Sequence, residues 1–222
     1  MRNTLIAHRR TALIKRRDDL LVGPKERAIA AIETGDKAAA KKYLEEVYAE
    51  GQPLHDRYVE WIQFLLGFIA ERLGEETVEE ALRGIVTEIY KDRWISLFKQ
   101  MSAEEIARMW CRINKSHYSN IMAEEDEEKF IITIPYCASG GKIQQIGKAR
   151  GRRTKKAYPW SFNEAGVSFY CCHESVFNRM FKELGFKNMH FEYHNPFEDD
   201  GTPTGRPCRF YIYKNKPAPD AP

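Results

Sequence analysis

The sequence predicts an α+β protein: an N-terminal helical bundle packed on a small C-terminal domain with an antiparallel sheet and one main helix. Three observations predict it. Up to about residue 122, apolar residues recur at helical spacing between glycine stops. Beyond residue 130 the apolar runs become short, β-branched and aromatic, as strands require. Between the two lies the acidic run "AEEDEEK", which reads as a solvated connector. Helical residues followed by strands give segregated α and β regions. The expected organisation is a helical region at 1–122, a Cys/His-containing α+β domain at 130–216 and a disordered tail at 217–222.

The elements follow in chain order. "GPKERAIAAIETG" places Pro24 at a helix start and Gly35 at its end. "DKAAAKKYLEEVYAEG" opens at Asp36 as N-cap and closes at Gly51. In "PLHDRYVEWIQFLLGFIAERLG", Leu54, Tyr58, Trp61, Leu65, Phe68 and Ile69 form the stripe expected to face a core, with Gly74 as the stop. Val78, Leu82, Ile85, Val86 and Ile89 continue on one face of the next helix. Ser102 and Glu105 make a capping box for "SAEEIARMWCRINKSHYSNIM". "FIITIPY" and "GVSFY" read as strands, "HESVFNRMFKELG" as the main helix, and "KNMHFEYHN" and "PCRFYIYKN" as two further strands. The stretch "GGKIQQIGKARGRRTKKAYPW" reads as a long loop.

Composition narrows the function. A net charge of +3 does not dictate a polyanionic partner. No run approaches the roughly 18 apolar residues of a membrane span. The basic N-terminus lacks the cleavage site of a secretory signal, and five cysteines, an odd number, suggest reduced thiols, so a cytoplasmic location is expected.

Four cysteines stand at element boundaries: Cys137 after "FIITIPY", Cys171 and Cys172 after "GVSFY", and Cys208 before the last strand. Ends of strands in one sheet can converge, which would bring them together with His173. Three arrangements stay open. In a metal site, Cys137, Cys171, His173 and Cys208 hold one zinc ion, although no CxxC or HxxxH spacing occurs. In a thiol catalyst, Cys137 attacks, His173 is the base and Glu174 orients it, with Gly140 and Gly141 offering backbone donors. In the third, all four are packed thiols and no cofactor is bound. A vicinal Cys171–Cys172 disulfide is a strained further option. Cys111 reads as packing within a helix.

"GKARGRRTKK" collects Lys148, Arg150, Arg152, Arg153, Lys155 and Lys156. Without interleaved aromatic residues it suits a clamp on an anionic small molecule better than a nucleic-acid site. Lys142 is a second anchor for a carboxylate, and Trp160 an apolar wall of the pocket. His55 and Asp56 either point into a pocket between the domains or, the favoured reading, form a surface pair; His117 reads as a core histidine, and His190 and His194 as two rings on one side of a strand.

The order of these C-terminal motifs resembles a known one. A cysteine at a strand end, the helix "CCHESVFNRMFKELGF", the strand "MHFEYHN", a Gly-rich turn and "GRPCRFYIYK", with Gly205, Cys208 and Phe210, are similar to the L-2-amino-thiazoline-4-carboxylic acid hydrolase-like proteins. They are more distantly similar to the small-molecule-binding domain of 4-vinyl reductases. The resemblance covers about residues 130–214. It implies an α+β ligand-binding domain with cysteines near a pocket, and C–N or C–S cleavage in a small heterocycle. The expected function is therefore a hydrolase or lyase for a small anionic or aromatic molecule, with a non-catalytic small-molecule- or zinc-binding sensor as the alternative. The sequence leaves substrate and oligomeric state open.

Overall fold

Gly23 and Pro24 start the first helix as their chemistry requires. In the computed structural model, which describes residues 21–147, 152–198 and 200–215, α1 spans Pro24–Glu33. The Glu26 carboxylate accepts from the Gly23 amide at 3.0 Å. Gly35 takes a left-handed φ of 76°, and Asp36 caps the next helix through the Ala39 amide at 2.9 Å. That helix, α2, spans Lys37–Leu73 and continues through Gly51 and Pro53, where the sequence suggested a stop. An interior proline costs about 3 kcal/mol, which the burial of later turns can offset. The chain forms two compact units, Met1–Gly51 and Gln52–Pro222. The basic N-terminus and the tail at 217–222 lie outside the described residues.

The second unit is α+β, with helices before and between the strands of a four-stranded antiparallel sheet. Within it α2 corrects one expectation. Leu54, Tyr58, Trp61, Leu65 and Phe68 are exposed, Trp61 by 59%, while Val59, Gln63 and Leu66 are buried. The helix is apolar on more than one face here, so spacing alone does not choose the face. A polar residue chooses it. Gln63, 2% exposed, donates to the Arg152 carbonyl at 2.8 Å and accepts from Ser168 Oγ at 2.9 Å and the Tyr170 amide at 2.8 Å.

After α3 (Glu75–Ile85) the chain widens into a π-helical segment, Val86–Ile95, then a single α-turn, Ser96–Phe98. Tyr90, Trp94 and Phe98 form a ring ladder along it, with centroids 5.9 and 6.0 Å apart. α4 (Ala103–Ser116) begins with the expected capping box: Ser102 Oγ accepts from Glu105 N at 3.2 Å, and Glu105 returns a bond to Ser102 N at 2.7 Å.

The sheet comprises β1 (Asn120–Glu125), β2 (Lys129–Tyr136), β3 (Met189–Glu192) and β4 (Cys208–Tyr213) in the order β1-β2-β4-β3. Ile132 pairs with Phe210, Ile134 with Cys208, Phe191 with Phe210 and Met189 with Ile212. These residues are buried on one face, against which α4 and α6 (Cys172–Glu183) pack. Three local expectations change. "AEEDEEK" is the end of β1 and its hairpin turn, because an edge strand with both faces wet can be acidic. "GGKIQQ" forms a helix, α5 (Gly140–Gln145), rather than a loop. "GVSFY" is not a regular strand: Ser168 makes one isolated bridge to Arg153, and the remainder turns into α6.

Replacing Gln63 by leucine strands a buried carbonyl, hydroxyl and amide together. The expected loss is roughly 3 kcal/mol, read as the shift in urea unfolding, whereas Trp61→Ala on the exposed face should change stability by about 0.5 kcal/mol or less. The opposite order would show that the exposed stripe carries the packing.

Candidate functional site

A cavity of about 430 Å³ opens between the sheet, α4, α6 and the π-helical segment. Its wall is apolar and ring-rich, with Trp94, Phe98, Trp110, Phe177, Phe191 and Phe210. One end is polar, and three chain segments build it. β2 runs into Cys137 and Ser139; the end of α4 supplies His117; the start of α6 supplies Cys171, His173 and Glu174; Tyr170 precedes them. α4 ends in a tight reversal, with Ser119 N bonded to Asn114 O at 3.0 Å and Tyr118 at a left-handed φ of 59°. Tyrosine has no preference for that conformation, so the site holds a strained residue of about 1–2 kcal/mol beside His117.

Of the residues singled out in the sequence, Cys137, Cys171, His173, Glu174, Gly140, Gly141 and Cys208 line this one cavity. Lys142 and Trp160 do not. The Lys142 ammonium pairs with the Asp56 carboxylate. Trp160 is buried and stacks on Tyr158 at 4.8 Å. Of the basic cluster, Lys148 and Arg150 lie outside the described residues. Arg152 lies over the Phe64 ring, its guanidinium 4.9 Å from the centroid. The Lys155 amide donates to the Glu75 carboxylate at 3.0 Å.

All five cysteines are free thiols. Burial lifts Cys171 well above the ordinary thiol range, aided by neighbouring Cys137. Cys172 is raised by burial too and donates to the Ser168 carbonyl at 3.4 Å. Cys208 is pushed up to about 12 by burial, and its Sγ donates to the His194 carbonyl at 3.1 Å. These three remain protonated at neutral pH and are poor nucleophiles and poor metal ligands. Among the described residues, no group of three or more His, Cys, Asp or Glu side chains is arranged to hold a metal ion. Cys137, Cys171, His173 and Cys208 thus share a wall without forming a coordination shell.

His173 has both ring nitrogens on acceptors. Its Nδ1–H donates to the Tyr170 carbonyl and its Nε2–H to Glu174 Oε1 at 3.1 Å. Burial opposes its charge, yet Glu174 and the Tyr170 carbonyl raise its pKa above the ordinary imidazole value. With an acceptor at each nitrogen, the ring is favoured as a double donor rather than as a base. His190 stacks on Tyr211, and His194 pairs with Glu192 at 3.2 Å; neither lines the cavity.

The polar end also contains Ser139 and Tyr170, which the sequence did not single out, and it joins them to His55 and His117. Ser139 Oγ, on a residue only 4% exposed, lies 3.1 Å from His55 Nε2 and 3.4 Å from His117 Nδ1, and the Tyr170 phenol reaches it as well. His55 Nδ1 lies 3.3 Å from Asp56 Oδ1. The two imidazoles meet edge to face, with centroids 5.2 Å apart. Burial and then His55 depress the His117 pKa, keeping it neutral. No local signal marks this group: His55 and Ser139 are 84 positions apart. The "CASGG" stretch drew notice only for its cysteine and glycines.

No family model matches the chain, and neither the curated proteins nor the solved structures contain a match to it.

Two outcomes check this geometry. A Cβ on Gly140 would overlap Cys171 Sγ, so Gly140→Ala should cost about 1–3 kcal/mol. Adding Cys171→Ala should recover most of that loss; strict additivity in the double-mutant cycle would place the two residues apart. In an NMR titration, His173 should protonate above the unperturbed value of about 6.5 and His117 below it. Because the folded state binds the His173 proton more tightly, its contribution to stability is complete below about pH 6.5 and fades as pH rises through the raised pKa. His173→Gln should remove that alkaline decline in stability, and an unchanged profile would contradict the assignment.

Proposed function

We infer that the protein is a hydrolase for a small, largely aromatic and uncharged molecule, which enters the cavity and is cleaved at its polar end. The observation that carries this reading is the cavity itself. Its volume of about 430 Å³ lies within the range typical of small-molecule sites, and its wall is made of rings with polar groups gathered at one end. Among the described lining residues there is no lysine or arginine. At the polar end His173 already has Glu174 as its partner, and the Lys142 ammonium is used by Asp56. A carboxylate brought here would lose its hydration without a free counter-charge, at a cost of several kcal/mol. An uncharged aromatic body suits the site better than the anionic ligand that the basic cluster suggested.

Hydrolysis is supported by two side chains with nucleophilic atoms, Cys137 and Ser139, beside imidazoles at the polar end. It is also the reaction class that the C-terminal resemblance implies. The raised thiols of Cys171, Cys172 and Cys208 favour a second reading, in which the cavity only binds its ligand. No zinc is invoked in either.

Trp94 and Trp110 in the wall supply a readout. Titration with the uncharged fluorophore N-phenyl-1-naphthylamine should quench tryptophan emission saturably at one site per chain. Ile113→Trp, which fills part of the cavity, should weaken binding roughly tenfold, about 1.4 kcal/mol, with little change in unfolding. Absence of saturable quenching would sink the pocket reading, and tighter binding of 1-naphthoate than of the neutral probe would overturn the preference for an uncharged ligand.

A further inference from the structure

We propose that Ser139 is the nucleophile of this site, activated by His55 and Asp56, and that the reaction is acyl transfer from an aromatic ester, thioester or amide to water. The proposal rests on the cavity being a small-molecule site and names the group that does its chemistry.

The geometry comes first. Ser139 stands where β2 ends and α5 begins, so its hydroxyl is presented at the tip of a strand, and it lines the cavity. Its Oγ–H is directed to His55 Nε2 at 3.1 Å. The opposite nitrogen of that ring donates to Asp56 Oδ1 at 3.3 Å, which leaves Nε2 with its lone pair toward the serine. The second Asp56 oxygen is held by Lys142, and Lys142 belongs to α5, the helix that follows Ser139. The carboxylate is thereby oriented from the nucleophile's own helix. Nucleophile, base and orienting acid stand in the relation that acyl transfer requires, whatever their order in the chain.

Two further groups suit the transition state. His117, kept neutral, approaches the same Oγ through Nδ1 at 3.4 Å, and the Tyr170 phenol lies beside it. Burial raises the Tyr170 pKa, so it stays a donor. A substrate carbonyl placed against Oγ brings its oxygen within reach of both, and side-chain donors of this kind stabilise an oxyanion. Cys137 has no comparable support: among the described residues its thiol is not hydrogen-bonded to an imidazole. His173 faces only acceptors.

The step balances with water as the only co-reactant. Oγ bonds to the acyl carbon while its proton passes to His55 Nε2 and the carbonyl π pair moves onto oxygen. Collapse expels the alkoxide, thiolate or amine, which takes the proton from Nε2. Water then attacks the acyl-serine, His55 again taking and returning one proton. A carboxylic acid leaves and Ser139 is restored. The apolar wall accommodates the aryl part of the acyl group.

The test uses the full chain. An alkyl fluorophosphonate should form one covalent adduct, mapped by peptide mass spectrometry to Ser139, and the protein should hydrolyse 4-nitrophenyl benzoate. Ser139→Ala and His55→Ala should each lower that hydrolysis by roughly a hundredfold or more, with Cys111→Ser as the unaffected control. An adduct on Cys137, no adduct at all, or hydrolysis that persists in Ser139→Ala would overturn the assignment. If Ser139→Ala does not fold by circular dichroism, the labelling of the unsubstituted protein decides alone. Retained N-phenyl-1-naphthylamine binding without labelling would refute the nucleophile and leave the pocket standing; loss of both would refute both.

Discussion

The amide of Gln63 is the fastening on which the site depends. Its side chain, buried in α2, bonds to a carbonyl, a hydroxyl and a main-chain amide in the segment that runs from Arg152 to Tyr170. That segment has little regular secondary structure, so the backbone groups it does not pair within itself need partners from elsewhere. Gln63 supplies two of them and fixes Tyr170, from which α6 starts. Cys171, His173 and Glu174 follow within four residues. The same amide determines which face of α2 turns inward, and with it where His55 and Asp56, two turns earlier, meet β2 and α5.

The cavity keeps its volume because its wall is stiff. Trp110 stacks on Phe210 at 4.8 Å, Phe191 meets Phe210 at 4.4 Å, and Phe98 touches Phe181 and Phe186. Rings have few rotamers and cannot collapse inward as flexible aliphatic chains would. The π-helical stretch contributes to the same end: its wider turn carries Tyr90 and Trp94 to the wall without a break between α3 and the Ser96–Phe98 turn. Against this apolar surround, the groups at one end are held by bonds among themselves, so their positions precede any ligand.

Much of the frame was legible in the sequence. The capping box at Ser102, the strand at Lys129–Tyr136 and the amphipathic helix after Cys172 are local matters of residue order, and each occurs where its pattern stands. The α2 stripe shows where pattern reading stops. Leu54, Tyr58, Trp61, Leu65 and Phe68 have the spacing of a buried face and are exposed, because periodicity reports an apolar stripe and not what covers it. The cysteines show the same limit. Placed by the sequence at strand ends, Cys171 and Cys172 stand instead at the start of α6, and burial left them and Cys208 protonated.

By itself the sequence determined the α+β class and the positions of most helices and strands. Those properties follow from side-chain period and from the residues that start and stop each element. Only the tertiary structure decided the state and partners of each group. It turned Lys142 to Asp56, closed both nitrogens of His173 with acceptors, and set His55 and His117 on the hydroxyl of Ser139. Protonation and hydrogen bonding are set by what lies within a few ångströms in space, and here those neighbours come from α2, α4, α5 and α6, segments that sequence distance keeps far apart.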